Sequence, residues 1–235
     1  MRFKTFFLYI SLTAVILLIS FSLFIYLSLP DVTHLKDNNP EITELMQLRK
    51  EQAEAQGKKY FIKQNWVGFQ TIPDLFKKAV RISEDASFYE HKGIDYEELR
   101  ESIKKNLDKG TLVRGGSTIT QQLAKNLFLS PEKSFLRKIR EYFIAQRLEN
   151  ELSKDRIFNL YLNLIELGQG IFGVEAASQH YFNKSVQNLN IEEIVRMTAI
   201  IPRPLKENPT KDSEWLKWKV EWIYHKMKLY NYIDL

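Results

Sequence analysis

"GGSTITQQLAKN", residues Gly115 to Asn126, sets two glycines ahead of a hydroxyl pair and then runs into a helical period. Ser117 or Thr118 supplies an N-cap, and Thr118 with Gln121 has capping-box spacing, so the free backbone N–H groups of a helix start fall beside Gly115 and Gly116. Such an end attracts anions. Ile119, Leu123 and Leu127 mark an apolar face, whereas Thr118, Gln121, Gln122 and Lys125 fall at i, i+3, i+4 and i+7 and share another. A stripe of hydroxyls, amides and one lysine is either plain solvated surface or a face that meets a ligand rich in oxygen.

The flanking segments add charge to this picture. Downstream, "SPEKSFLRKIREYFIAQRLENELSK" (Ser130 to Lys154) predicts a long helix, with Ser130 as cap, Pro131 at the first helical position and a buried stripe of Leu136, Ile139, Phe143 and Leu148. Lys133, Arg137 and Glu141 recur every four residues, with Arg140 beside them, so a basic row ends at a carboxylate. Ion pairing on a surface helix gives the same pattern. Upstream, "RISEDASFYEHKGIDYEELRES" (Arg81 to Ser102) puts Glu84 and Asp85 next to Phe88 and Tyr89. A carboxylate among aromatic side chains can be desolvated toward the pKa a general base or acid needs, although adjacent acids also serve as helix caps. His91 reads as a hydrogen-bonded structural residue, since His34, His180 and His225 show no metal-ligand spacing with it.

With 235 residues, 44% hydrophobic and 27% charged, the chain has the composition of a globular protein and room for one domain of ordinary size. It contains no cysteine, which excludes disulfides, thiolate zinc sites and a cysteine nucleophile. A net charge of +5 favours anionic partners. From Phe6 to Leu29 the run "FFLYISLTAVILLISFSLFIYLSL" is uncharged, and at about 1.5 Å per residue a helix of that length crosses a hydrocarbon layer of about 30 Å. The run exceeds a signal-peptide core and no small-x-small site follows it, so it reads as an uncleaved anchor. Arg2 and Lys4 precede it, which makes residues 1–5 a cytoplasmic stub, places everything after Pro30 outside, and argues against nucleic acid as a partner.

Residues 30–59 read as a juxtamembrane linker with one short helical pattern at Ile42, Leu45 and Met46. Residues 60–235 read as the domain. It is mainly α, with "KYFIKQNWVGF" (Lys59 to Phe69) as the only expected strand region. Gly168, Gly170 and Gly173 spell G-x-G-x-x-G, but they follow the helical run "RIFNLYLNLIEL" with no βαβ unit around them, so dinucleotide binding is not expected. Ser102 with Lys105 and Ser130 with Lys133 match S-x-x-K without an accompanying S-x-N or K-T-G, which argues against an acyltransferase site.

Five ordered blocks resemble the peptidoglycan glycosyltransferases, the transglycosylase domains that polymerise lipid II. They are "EDASFYEHKGID" (Glu84 to Asp95), "GGSTITQQLAKN" itself, "RKIREYFIAQRLE" (Arg137 to Glu149), "IFNLYLNLIELGQGIFGVEAASQHYF" (Ile157 to Phe182) and "EIVRMTAIIPRP" (Glu193 to Pro204). The resemblance runs from about Asn39 to Pro209 and is to the monofunctional branch. Ala86 stands where the family often has a long polar residue, and Arg196 and Thr198 where it is usually apolar.

The resemblance implies a lysozyme-like helical head lobe, a smaller membrane-associated jaw lobe and a cleft between them. It implies Glu84 as the general base that deprotonates the acceptor 4-hydroxyl, and Glu141 as a second essential carboxylate near the donor diphosphate. Lys125, Lys133 and Arg137 would bind that diphosphate, with Ser117, Thr118, Gln121, Gln122, Asp85 and Asn126 meeting sugar and phosphate oxygens. Implied partners are lipid II, the growing glycan strand, membrane lipids and other cell-wall synthesis proteins, at a bacterial plasma membrane with the domain on the periplasmic side. Magnesium or manganese is left open as a cofactor. A diphosphate leaving group gathers negative charge in the transition state, which preorganised cations stabilise. Two rival readings are a lysozyme-like glycan-cleaving enzyme and a catalytically silent anchored scaffold.

Overall fold

The computed structural model describes residues 2–109, 116–130 and 134–233, and for residues 2–5, 103 and 105–109 the backbone only. Gly115, Pro131 and Lys133 therefore lie outside the described residues.

Helix α1, Arg2–Leu27, contains the apolar run. Its Phe6–Leu27 portion has a mean hydropathy of 2.5 and is long and apolar enough to cross a membrane. Cations on a later helix meet the carbonyls where the chain leaves α1. Arg147 donates to the carbonyls of Tyr26, Leu29 and Pro30 at 3.1–3.2 Å, and Arg140 donates to that of Ser28 at 3.2 Å. Arg140 thus turns toward the anchor rather than joining the basic row.

The segment read as a linker packs into the core, where Val32, Leu35 and Met46 are fully buried. Its helix α2, Glu44–Glu54, is capped by Thr43, whose hydroxyl accepts from Met46 N–H. Helix α3, Asp74–Glu84, carries its apolar residues Phe76, Ala79, Val80 and Ile82 on the inner face and ends beside Asp85, which is in an extended conformation. Helix α4, Tyr96–Lys109, follows, and then α5, Ile119–Phe128. The capping box expected at Thr118 and Gln121 is present on α5.

Helix α6, Phe135–Glu151, starts one turn later than expected, with Ser134 as its cap. Its buried face is also rotated. Leu136 and Phe143 are about two-fifths exposed, and the inner face runs through Glu141, Ile144, Ala145 and Leu148. An apolar period cannot show this, because it assigns a carboxylate to solvent, whereas two cations make the burial of Glu141 tolerable. Tyr96, Leu99, Phe135, Leu136 and Phe143 are left exposed along α4 and α6.

Helix α7, Lys154–Leu164, is buried along most of its length. Strands β1 (Lys63–Gln64), β2 (Glu166–Gly168) and β3 (Ile171–Phe172) form a sheet in the order β1-β3-β2, so a hairpin joins the one expected strand region. The glycine triplet serves this hairpin. Gly170 and Gly173 have φ of +73° and +81°, and a Cβ on either would lie 2.3 Å from the Phe61 carbonyl oxygen or 2.5 Å from that of Asn163. Helices α8 (Val174–Phe182), α9 (Ile191–Ile200) and α10 (Glu214–Leu229) complete the domain, with α3, α9 and α10 packed together and α5 set against α2, α6 and α7. The two unusual polar residues of α9 are both satisfied. Arg196 donates to Lys211 O and pairs with Asp212 at 2.7 Å, and the buried Thr198 hydroxyl donates to Ile194 O at 2.9 Å.

Candidate active site

Six chain segments converge on one cleft of about 460 Å³: α2, the end of α3, the middle of α5, the first turn of α6, the start of β2 and the turn at residues 201–204 after α9. Glu84, Gln122, Lys125, Asn126 and Arg137 line it together with Arg49, Ile165 and Glu166. Residues far apart in sequence are brought here because α5 crosses the end of α3. The joint between them is Asp85, which accepts from Ile119 N–H at 2.9 Å and from His91 Nε2 at 2.9 Å. An anionic cap on the first turn of α5 also suits the helix dipole.

Glu84 is half-buried and held from two sides. Ser83 Oγ donates to Oε1 at 3.2 Å, and Gln122 Nε2 donates to Oε2 at 3.1 Å. Gln122 is oriented in turn by Tyr161, whose hydroxyl donates to Gln122 Oε1 at 3.0 Å. Tyr161 is fully buried, and burial, then the charges of Glu84 and Asp85, push its phenol well above the ordinary range and keep it a donor. Sequence reasoning missed Tyr161. Its position on the inner face of an apolar helix looks like core, and no local pattern separates it from Phe158.

The cationic side is built on Glu141. Only 3% of this side chain is exposed, and its carboxylate accepts from Arg137 Nη1 at 2.6 Å and from Lys138 Nζ. Glu141 therefore sits behind Arg137, holding the guanidinium toward the cleft. Lys138, which also reaches Ser117 Oγ at 3.1 Å, was not singled out in the sequence, although its i, i+3 spacing from Glu141 is a readable signal. Both oxygens of Glu141 are taken by cations, so this group does not fit a divalent ion. Asp85, His91 and Asp95 present ligand atoms within 4.8 Å of one another, but Asp85 is committed to Ile119 N–H and His91, and Asp95 to Ser87 and Glu98 N–H.

Lys125 makes no hydrogen bond or ion pair among the described residues. Burial pulls its ammonium below the ordinary value; Glu141 opposes that, Arg137 and Lys138 add to it, and Glu84 opposes it weakly. A cation in this state gains from an anion entering the cleft. Thr118 and Gln121, in contrast, face inward. The Thr118 hydroxyl donates to Gly93 O at 2.6 Å and accepts from Gln121 N–H, while Gln121 Oε1 accepts from Thr118 N–H at 3.1 Å.

A carboxylate poised on one wall of a cleft and free or oriented cations on the other suit transfer of a glycosyl group from an anionic leaving group. Residues 51–228 match the family model described as Transglycosylase. The chain belongs to the transglycosylase family. It is 42% identical to a biosynthetic peptidoglycan transglycosylase of Dechloromonas aromatica (strain RCB) over 189 residues, 80% of this chain and 82% of the relative. It is 40% identical over the same length to one from Nitrosospira multiformis, again 80% and 82% of the two chains. With a third, from Thiobacillus denitrificans, it shares 46% over 168 residues, 72% of each chain. The family match takes in every cleft residue except Leu45 and Arg49, which stand just ahead of it.

Proposed function

We propose that the protein polymerises lipid II, a lipid-linked disaccharide diphosphate, into linear β-1,4 glycan strands of peptidoglycan. Glu84 removes the proton from the 4-hydroxyl of the acceptor N-acetylglucosamine. That oxygen attacks the anomeric carbon of the donor N-acetylmuramic acid, inverting it, as the bond to the diphosphate breaks and undecaprenyl diphosphate leaves. Lys125 and Arg137, with Lys133 beyond the described residues, take up the charge of the leaving group, and Asn126 lies between the two walls. Glu141 aligns Arg137 and Lys138, while Asp85, Thr118 and Gln121 hold α3 and α5 in register so that Glu84 and Lys125 face one another. Ser117 does not line the cleft and accepts from Lys138 Nζ.

The observation that carries this reading is Lys125, without a hydrogen-bond or ion-pair partner among the described residues, in the same cleft as the oriented Glu84. Cleavage of a sugar–sugar bond needs no such cation, which sets the reading apart from a lysozyme-like hydrolase. The membrane-spanning length of α1 fits a lipid-linked substrate, with the domain on the periplasmic face of a bacterial plasma membrane.

The test is to incubate the full-length protein and Glu84→Gln with labelled lipid II in detergent, and to look for polymer that lysozyme digests. Polymer from the wild type alone is expected. Near-normal polymer from Glu84→Gln removes the base assignment, and cleavage of preformed glycan by the wild type favours the hydrolase.

A further inference from the structure

A second cleft, also about 460 Å³, opens on the other side of the Arg49–Glu166 pair. The two clefts share Arg49, Glu166 and Pro204, so a substrate held at Glu84 and Lys125 can continue from one into the other. The partition is firm. Glu166 is buried, and Arg49 binds it through two parallel bonds, Nε to Oε1 at 2.8 Å and Nη2 to Oε2 at 2.7 Å.

The lining of the second cleft has a definite polarity. Gln52 Oε1 accepts from Arg49, Gln56 Oε1 from Lys58 Nζ, and Asn208 Oδ1 from Thr210 N–H and Oγ1. With their oxygens engaged, these three amides have their N–H₂ groups left to offer. Lys58 and Lys206 add ammonium groups, and the Lys206 ammonium has no hydrogen-bond or ion-pair partner among the described residues. Of the tyrosine hydroxyls, Tyr181 spends its proton on Leu167 O, whereas Tyr60 accepts from Gly170 N–H, both at 2.9 Å, and keeps its own proton to donate. Of the two carboxylates, Glu166 is neutralised by Arg49 and Glu207 already accepts from Ser213 Oγ. Donors dominate this surface.

A sugar hydroxyl donates as well as accepts, so a donor-rich wall meets its lone pairs and leaves its proton without an acceptor. A peptide bearing carboxylates presents carbonyl and carboxylate oxygens, which match such a wall. We propose that the second cleft binds the carboxylate-bearing peptide carried by the sugar substrate, with Lys206 and Lys58 as its charged contacts. This rests on the transglycosylation reading above, because that reaction brings a peptide-bearing sugar to Glu84. Lys206 then determines which substrates are accepted and has no part in the bond-making step.

The experiment measures kcat and KM for wild type and Lys206→Glu on three lipid-linked disaccharide diphosphates: one with the peptide, one without it, and one with the peptide carboxylates amidated. Lys206 is exposed, so charge reversal there leaves the fold intact. The expected result is a KM raised about tenfold by Lys206→Glu on the peptide-bearing substrate alone, with kcat unchanged. Equal increases on all three substrates overturn the proposal by pointing to the diphosphate as the group sensed, and no increase on any of them overturns it as well. Lys58→Glu follows the same pattern if the proposal holds. Polymer formation by the wild type reports on the underlying reaction and the KM comparison on the peptide, so the two readings fail separately.

Discussion

Tyr161 acts on Glu84 without touching it, through the amide of Gln122. Tyr161→Phe keeps the packing but leaves Gln122 Oε1 without its donor in a buried setting, which costs about 1–2 kcal/mol and frees the amide to turn over. The expected outcome is a kcat lowered about tenfold with KM nearly unchanged, a split that a merely structural loss does not give. Lys125 provides a pH test. Its folded-state value lies below the ordinary 10.5, so the unfolded chain holds the proton more tightly, and this group's contribution to stability rises with pH between the depressed value and 10.5. Anion binding moves the other way, because the charge that binds the diphosphate is lost in that same window. KM is therefore expected to climb on the alkaline side before pH 10.5 is reached. Lys125→Arg, which stays charged, should remove the climb, and an identical alkaline limb in both proteins would exclude Lys125 as its source.

Among the elements, α2 and β2 are joined by the Arg49–Glu166 pair, which walls both clefts. Glu166 is 5% exposed in its side chain and Arg49 25%, so deleting the arginine strands a buried carboxylate. Arg49→Met is expected to destabilise the domain by about 3 kcal/mol, at the lower end of the range because the pair is partly hydrated, and Arg49→Met with Glu166→Gln should recover most of that loss. Urea unfolding of the single and double variants decides it; additive losses would mean the residues act independently. The same electrostatics explains why the inner face of α6 was misread. Period counting sees Leu136, Ile139 and Phe143 as a stripe, but the helix turns to bury Glu141 between Arg137 and Lys138 and leaves Leu136 and Phe143 on the apolar surface shared with α4.

At the scale of the whole molecule, α1 and the domain are connected by more than the chain. Arg140 and Arg147 on α6 grip the carbonyls at the end of α1, and the residues that follow it enter the core through Val32 and Leu35. Removing residues 2–27 takes away the membrane span while leaving those buried residues in place. Its main effect should be lost proximity to a lipid-linked substrate, so activity is expected to fall much more on substrate in bilayers than on substrate in detergent. Equal losses in both media would instead mean that the α6 contacts to α1 support the catalytic domain itself.

The sequence by itself determined whatever depends on local periodicity and short spacing: a first helix of membrane-spanning length, the mainly helical class, the capping box at Thr118 and Gln121, and the five ordered blocks that carry Glu84, Lys125, Arg137 and Glu141. The tertiary structure decided which polar groups are free to meet a substrate. Thr118, Gln121 and Lys125 lie on one stripe in sequence, yet Thr118 and Gln121 are consumed by the cap and Gly93, whereas Lys125 in the cleft has no hydrogen-bond or ion-pair partner among the described residues. Tyr161 and Arg49 gained their positions only when elements distant in sequence were packed together. A hydrogen bond is spent or left open according to what lies opposite it, and what lies opposite is set by long-range packing rather than by the period of any one helix.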